Sequence, residues 1–329
     1  MIELIDTSAS EIAAEFVRAR RRAGSPAMGM VLTLVIVADE DDADPAMEVA
    51  RSTAREHPAR ILGIVVGARR GASQVDAEVG IGSGGGERAL IRLTGEVTRH
   101  AASVVLPLLL PDSPVVVWWP GRAPDDPAAD PIGALGTRRI TDAASAPSGK
   151  AKAMLTQCAT YSPGNTDLAW TRITGWRALL AAALDQHPGK VVGASVTAER
   201  ISPSADLLSA WLGDRLRCHV ERHNSGGPGI TCVVLTTKQG DVTISRTDGR
   251  LATLASPGEP DRPVALKRRD LDELLSEELR RLDPDDVYAD TVQRMARTGS
   301  REAPAEGSAR NGTGGKHSKS AGERSTRRA

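Results

Sequence analysis

Two uninterrupted aliphatic runs near the start of the chain constrain its fold more than any other feature. Val31–Val37 and Ile61–Val66 are almost entirely apolar, and such runs are typical of strands buried on both faces of a parallel sheet. Between them, Asp44 and Pro45 supply an N-cap and a first-turn proline, which predicts a helix to about Glu56. Strand, helix and strand within about 35 residues form a βαβ unit, so we expect the two runs to pair in parallel.

Further patterns place this unit in a larger N-terminal layer. Ser8 and Glu11 form a capping box for a helix that ends near Ala23. We predict a Rossmann-like α/β domain with a mostly parallel sheet over residues 1–150. The other elements predicted in it are strands at Val75–Gly82, Ala89–Leu93 and Ser113–Trp119, and a short helix at Glu96–Ala102.

The second half of the chain has a different order of elements. Strands alternate with Gln-Gly and Asp-Gly turns, which predicts a short antiparallel meander with helices before and after it. This order indicates an α+β domain over residues 151–297. Residues 298–329 are dominated by Gly, Ser, Arg, Lys and Glu, so we expect a disordered tail there. The predicted strands are Ile230–Thr236, Val242–Arg246 and Leu251–Ala255, and the predicted helices are Trp176–Leu184, Ser204–Leu212, Asp270–Leu282 and Pro284–Arg297.

The charge balance disfavours two classes of partner. The chain has 42 basic and 42 acidic residues, and the seven Lys/Arg and three Asp/Glu of the tail leave 35 basic and 39 acidic residues in the body. A mildly acidic body repels phosphate backbones, so we expect no nucleic-acid partner. The most apolar stretch, Ala101–Trp119, is interrupted by prolines and an aspartate, and the N-terminus lacks a secretory pattern. We therefore expect no membrane partner and a cytoplasmic location.

Three sequence patterns suggest chemistry, and each also has a structural explanation. Gly80, Gly82 and Gly85 match the dinucleotide fingerprint, but a strand is predicted to follow them, which favours a hairpin loop. The acidic residues within 39–44 follow a strand, where α/β folds bind metals or sugars, but the absence of convergent groups favours a solvated loop that ends in an N-cap. Cys218 and His219 alternate along a predicted strand, so they face opposite ways and disfavour a zinc site. We predict no catalytic residues, no metal and no cofactor.

Tryptophan and arginine side chains remain as candidates for function. These two residue types are the most enriched at binding hot spots, but large rings also suit protein cores. Trp176 shares a helical face with Leu180, so we interpret it as a core residue. For the other candidates the chemistry favours neither core nor interface. The candidates for a partner interface are Trp118, Trp119, Asp167, Trp170, Arg172 and Arg177.

At these residues the chain resembles a known family, the OpcA proteins that assemble glucose-6-phosphate dehydrogenase in actinobacteria and cyanobacteria. The similarity runs in order from about Met1 to Arg297 and does not cover the tail. An ordered series of matching blocks is more specific than a single motif. The blocks are Val31–Val37, Ala102–Asp112, Pro114–Gly121, Asp130–Gly133, Arg139–Asp142, Asp167–Arg172, Trp176–Leu180, Pro203–Leu208, Gly227–Ile230 and Glu278–Asp283.

The resemblance implies a non-catalytic partner of glucose-6-phosphate dehydrogenase, the enzyme that makes the first oxidation of the oxidative pentose phosphate pathway and supplies NADPH. Such a protein promotes the active oligomer of the enzyme or raises its activity allosterically. The family has no established catalytic residues to carry over. An alternative function stays open: a sensor or enzyme that binds a sugar phosphate or a nucleotide at the strand ends of the α/β domain.

Overall fold

The described part of the chain, residues 1–24, 29–81, 86–246 and 248–302, forms two β-sheets with helices packed against them in a computed structural model. The strands of the first sheet are β1 (Ile2–Leu4), β2 (Leu32–Ala38), β3 (Ala59–Val66), β4 (Gln74–Ile81), β5 (Glu87–Thr94), β6 (Val115–Trp118), β7 (Arg138–Thr141) and β8 (Asn165–Asp167). In space they follow the order β1-β4-β5-β3-β2-β6-β7-β8. Only the pairs that involve β4 are antiparallel, so the predicted mostly parallel sheet is confirmed.

Helices cover both faces of this first sheet. The helices from the N-terminal half are α1 (Ala9–Ala23), α2 (Glu40–Thr53) and α3 (Ala101–Val105). Phe16 of α1 packs with Val35 and Leu62 on one face, and Ala50 of α2 packs with Leu34 on the other. Because both faces are covered, the strands carry apolar residues at nearly every position, which explains the two uninterrupted runs.

The βαβ unit is confirmed, but its helix begins earlier than expected. β2 and β3 pair in parallel from Leu32 opposite Ala59 onward. The helix was predicted from Asp44 and Pro45, whereas α2 begins at Glu40 after the N-cap Asp39 and contains Pro45 in its interior. Three acidic residues in the first turn interact favourably with the helix dipole, and this early start places them there.

The region after β3 contains a hairpin rather than a nucleotide-binding turn. β4 and β5 pair antiparallel, so the residues after the glycine pattern form a strand, as predicted. Gly82 and Gly85 of that pattern lie outside the described residues. The helix predicted at Glu96–Ala102 is instead a 3-10 segment, Gly95–His100, followed by α3. The edge strand β1 was not predicted, because three residues carry too little periodicity.

The second sheet is mixed and contains the predicted meander. Its strands are β9 (Val191–Ala198), β10 (Val220–Asn224), β11 (Ile230–Thr237), β12 (Gly240–Ser245), β13 (Leu251–Ala255) and β14 (Arg262–Ala265), in the spatial order β10-β9-β11-β12-β13-β14. Only β9 and β10 pair in parallel. The α+β fold expected for this half is therefore confirmed. The helices from this half are α4 (Lys150–Ala159), α5 (Leu168–Thr171), α6 (Thr174–Gln186), α7 (Pro203–Leu216), α8 (Leu271–Arg280) and α9 (Asp286–Glu302).

The strand predicted around Cys218 is wrong. Helix α7 continues to Leu216, Arg217 ends it in a left-handed conformation with φ of 52°, and β10 begins only at Val220. The alternation of apolar and polar residues at 216–221 therefore spans a helix end and a turn. Cys218 still packs against the apolar core of this half.

The two halves of the chain interleave. β8 belongs to the first sheet, and Leu274, Leu275 and Leu279 of α8 pack in the cluster that contains Trp118. Helices α4, α6, α7 and α9 instead contribute to the core under the second sheet. The predicted division at residue 150 stays a prediction, and the connections described here cross it. The tail was predicted to begin at residue 298, but α9 continues to Glu302, so residues 298–302 are helical. The rest of the predicted tail, from residue 303 onward, lies outside the described residues.

Candidate functional site

The segment Asp167–Arg177 begins where the first sheet ends. β8 stops at Asp167, and α5 begins at the next residue. Asp167 is fully buried and caps α5, because its carboxylate accepts a hydrogen bond from the amide of Ala169 at 2.8 Å. It also accepts from the Thr141 hydroxyl at 2.7 Å and from the Ala143 amide at 2.9 Å. The Asp167 carboxylate therefore links the end of β7, the loop that follows it and the first turn of α5.

A second carboxylate lies beside it and holds an arginine. Arg172 donates to both oxygens of Asp142, at 2.6 and 2.7 Å. The Asp142 side chain is fully buried, whereas 28% of the Arg172 side chain is exposed. Burial, together with the nearby charge of Asp142, raises the pKa of Asp167 to about 6. Burial alone would lower the pKa of Arg172, but its hydrogen bonds to Asp142 and the charge of that residue raise it.

Trp170 is the centre of a small aromatic and ionic cluster. Its Nε1 donates to Oδ2 of Asp285 at 2.9 Å, and its ring lies 5.6 Å from that of Tyr288. The Arg177 guanidinium lies 3.7 Å from the centre of the Trp170 ring, within cation–π range. Burial lowers the pKa of Arg177. The Nε1–H group of Trp170 is thus hydrogen-bonded to a residue 115 positions later in the chain.

Trp118 and Trp119 lie on opposite faces of the first sheet. Successive strand residues alternate in direction, and Trp118 packs in the cluster with α2 and α8 while Trp119 packs in the cluster with α1 and α3. The two rings are 0% and 2% exposed. A Cβ at Gly133 would lie 1.9 Å from the Pro127 carbonyl oxygen and 3.1 Å from the Trp119 ring, so glycine is required where the chain passes this ring.

The predicted interface candidates therefore fall into two groups. Trp118, Trp119, Asp167 and Trp170 are at most 2% exposed, so a direct contact with a partner would require these side chains to move. Arg172 and Arg177 are partly exposed. The role of all six residues in partner binding stays a prediction. Trp176 is 1% exposed and its interpretation as a core residue is confirmed.

A buried ion pair links this segment to α8 and was not predicted. Arg138 donates to Glu278 at 2.5 Å and to the carbonyl of Asp283 at 3.0 Å. Glu278 also accepts from the Thr171 hydroxyl at 2.6 Å. Arg138 and Glu278 are 140 residues apart in the chain, so no local sequence pattern indicates that they pair. One indication that these residues matter was present in the sequence: Glu278 begins one of the blocks that carry the family resemblance, and Arg138 directly precedes another.

A cavity of about 270 Å³ opens at the carboxyl ends of β6 and β7. Asp142 and Thr141 form part of its wall, and Arg122 and Lys152 bring positive charge to it. Helix α4 begins at the same place, after Gly149, without a side-chain cap. The remaining lining residues are Gly121, Ala123, Asp125, Ala143, Ala146, Pro147, Ser148, Gly149, Ala153, Thr156 and Gln157.

The acidic residues after β2 do not form a separate site in this structure. Asp39 occupies the N-cap position of α2 without a side-chain capping hydrogen bond, and its carboxylate lies 4.0 Å from Nε of the exposed Arg122. Across the described ranges, no group of three or more His, Cys, Asp and Glu side chains has the arrangement of a metal site. Within the same ranges, no helix combines the length and apolar character that a membrane span requires.

These features define a class of protein: a mostly parallel α/β sheet and a mixed α+β sheet, joined by a segment whose charged groups are bound by groups of the same chain. Two family models identify the family. The model described as the N-terminal domain of the glucose-6-phosphate dehydrogenase subunit matches residues 50–159, and the model for the C-terminal domain of that subunit matches residues 163–292. The chain belongs to the OpcA family of glucose-6-phosphate dehydrogenase assembly proteins.

Comparison with solved structures finds weak similarity to oxidoreductases. A 3-ketoreductase from Actinomadura kijaniata, in complex with NADP and TDP-benzene, has 9% identity and a TM-score of 0.45, and the match covers 82% of this chain and 96% of that chain. Biliverdin reductase from Synechocystis sp. PCC 6803 has 10% identity and a TM-score of 0.39, with 82% and 98% covered. Similarity at this level carries no argument about function. No curated protein matches the sequence.

Proposed function

We propose that this chain is a non-catalytic assembly factor and allosteric activator of glucose-6-phosphate dehydrogenase. It would act in the cytoplasm, in the oxidative pentose phosphate pathway, by binding the active oligomeric state of the enzyme. The observation that carries the proposal is the match of both family models, one to each half of the chain. The pairing of Asp142, Asp167 and Arg172 within the chain supports a structural use of these groups.

An activator of this kind must bind one state of the enzyme more tightly than another. A tenfold shift in the equilibrium between the two states requires about 1.4 kcal/mol of differential affinity. A few anchoring side chains at an interface of ordinary size contribute more than this. The activator therefore needs only a small, well-positioned contact surface.

We propose that the Asp167–Arg177 segment provides part of that surface through Arg172 and Arg177. Both guanidinium groups are held in place, by Asp142 and by the Trp170 ring, and are partly exposed. An arginine that is already ordered loses less conformational entropy on binding than a flexible one. In this proposal the buried residues Trp118, Trp119, Asp167 and Trp170 hold the surface in shape.

The experiment compares the cognate dehydrogenase alone and with this protein, in binding and in substrate saturation. The wild-type protein should bind and should raise the rate at limiting substrate. Arg172→Gln keeps a hydrogen-bond donor for Asp142 but leaves that buried carboxylate without its counter-charge, so circular dichroism must first show that it is folded. Arg177→Gln leaves the Asp142 pair intact, and each folded variant should lose at least tenfold in binding. Arg99→Gln, at a side chain that is 61% exposed outside this segment, is the matched control.

The outcomes separate the parts of the proposal. Full binding by Arg172→Gln and Arg177→Gln would show that the surface is wrong but leave the partner correct. Binding without any change in the kinetics would contradict activation and indicate a passive scaffold. Failure of the wild-type protein to bind the dehydrogenase would overturn the proposed function itself.

A second candidate function rests on the cavity at the ends of β6 and β7. Open α/β sheets bind ligands at this edge, and Arg122 and Lys152 suit a phosphate group. A sensor or enzyme of this kind would bind a sugar phosphate or a nucleotide without the dehydrogenase. Calorimetry of the protein alone with glucose 6-phosphate and with NADP tests this function, and the absence of saturable heat for both would contradict it.

A further inference from the structure

Among the residues that the structure describes, helices lie on only one face of the second sheet. Val196, Val233 and Ile244 point toward the helices and are fully buried. The alternate residues of the same strands point the other way, and they are half-buried or exposed. We give the name outer face to ten of these outward residues: Ser195, Thr197, Cys232, Val234, Thr243, Ser245, Thr253, Ala255, Pro263 and Ala265. The other outward residues, Gly193, Glu221, His223, Thr236, Asp241 and Leu251, lie on the edge strand β10 or toward the strand ends.

The surroundings of Gly193 show that the described chain leaves this side of the sheet open. Gly193 lies opposite Thr236 on the same side of the sheet, and a Cβ built on Gly193 would meet no atom within 4 Å. By contrast, a Cβ at Gly63 in the first sheet would lie 2.7 Å from the Met47 sulfur. The first sheet is thus covered on both sides, whereas the outer face of the second sheet meets no helix among the described residues.

The outer face is also unusual in its chemistry. None of its ten positions is charged, although 26% of the chain consists of charged residues. Charged side chains on that side occur at its margins, with Glu221 on the edge strand β10 and Asp241 at the start of β12. Exposed sheet faces usually alternate apolar inward residues with polar and charged outward ones. Charged residues are depleted at the cores of protein interfaces, so the absence of charge on this face is compatible with cover by another surface.

The size of the outer face reaches the lower limit of a specific interface. Its residues lie on five strands of the sheet, and five strands about 4.8 Å apart with about six residues each at 3.3 Å per residue span roughly 24 Å by 20 Å, or about 480 Å². Two such faces bury about 1,000 Å² in total, which is close to the ~1,000 Å² that a specific interface needs.

We propose that the outer face is a homodimer interface, on which a second copy of this chain packs sheet against sheet. An isologous dimer requires a surface that is complementary to itself. An uncharged flat face meets this requirement without like-charge repulsion, and small side chains allow two sheets to approach to about 10 Å. A partner that is recognised through charge would find no counter-charge in the centre of this face. The inference concerns the chain alone and does not depend on the proposed function.

The test is sedimentation of the full-length protein over roughly 1 to 100 µM, a range that covers weak and tight dimers. The wild-type chain, of 34.6 kDa, should shift to twice that mass. Val234→Lys and Thr243→Lys each place a charge near the centre of the outer face, where the two copies would bring like charges together. Each should weaken dimerisation at least tenfold. Leu155→Lys, on an exposed side chain of α4, adds the same charge elsewhere and should dimerise like wild type.

A second measurement needs no substitution. Cys232 lies on the outer face, and Cys218 packs on the helix side of the same half. Alkylation of Cys232 by a maleimide should slow as the protein concentration rises, while the rate at Cys218 stays constant. A wild-type chain that is monomeric at roughly 100 µM would overturn the proposal, as would a dimer that leaves Cys232 fully reactive. Loss of dehydrogenase binding by Val234→Lys in a monomeric chain would assign the outer face to the enzyme instead.

Discussion

The Arg138–Glu278 pair allows a quantitative test of how the C-terminal helices are held on the first sheet. The two residues are 3% and 7% exposed. Glu278→Ala removes the carboxylate and leaves the Arg138 charge buried with the Asp283 carbonyl as its remaining partner. Removal of one member of a buried pair costs about 3–5 kcal/mol, because the other charge stays desolvated. We expect this loss in the free energy of unfolding.

The structure offers a matched control on the same helix. Arg280 of α8 donates to Glu56 at 2.8 Å, and the two side chains are 63% and 55% exposed. Both pairs connect α8 to the N-terminal half, but water screens the second one. Arg280→Ala should therefore change the free energy of unfolding by no more than about 1 kcal/mol.

Urea denaturation followed by far-ultraviolet circular dichroism measures both variants under the same conditions. The double variant Arg138→Met with Glu278→Leu removes both charges and should recover much of the loss, because no unpaired charge remains buried. Recovery should be incomplete, since Thr171 and Asp283 also lose hydrogen-bond partners. If Glu278→Ala costs no more than Arg280→Ala, the pair is hydrated in solution and the reasoning fails.

Three further predictions concern the candidate site. Burial and Asp142 raise the pKa of Asp167 from an unfolded value of about 3.9 to about 6. Its folded form thus keeps a proton that the unfolded form has lost, and stability falls as the pH rises through this window. Relative to Asp167→Asn, the wild type should be about 1 kcal/mol less stable at pH 7.5 than at pH 5, and pH-independent differences in urea denaturation would contradict this. Gly164 has φ of 89°, and a Cβ there would lie 2.5 Å from the Thr137 oxygen. Gly164→Ala should cost about 1–3 kcal/mol more than Gly229→Ala, a positive-φ site with open space, in the same assay. Trp170→Phe keeps an aromatic ring but is smaller than the indole and loses the hydrogen bond to Asp285, so its thermal unfolding should show a loss of about 1–3 kcal/mol, whereas wild-type stability would show that water replaces the bond.

Local sequence patterns predicted the elements that are stabilised locally. The aliphatic runs around Val35 and Leu62 indicated the βαβ unit because both faces of those strands are buried. The turn residues indicated the meander, and the helical spacing of Trp176 and Leu180 indicated a core position. In each case the periodicity of one short segment carries the information.

The candidate site depends on partners that are distant in sequence. Arg172 meets Asp142 across 30 residues, and Trp170 meets Asp285 across 115. A tryptophan or an arginine is suited equally to a core and to an interface, so composition could not separate these roles. Trp118 is buried partly because α8 packs against the first sheet. No local sequence pattern around Trp118 indicates that this distant helix packs there.

That return of α8 has a consequence for synthesis on the ribosome. The face of the first sheet that holds Trp118 and Leu34 is completed by Leu274, Leu275 and Leu279. A nascent chain that has emerged only to residue 160 therefore exposes this apolar face and lacks the strand β8. The first sheet cannot reach its final packing until nearly the whole described chain has emerged, so the two halves must mature together rather than one after the other.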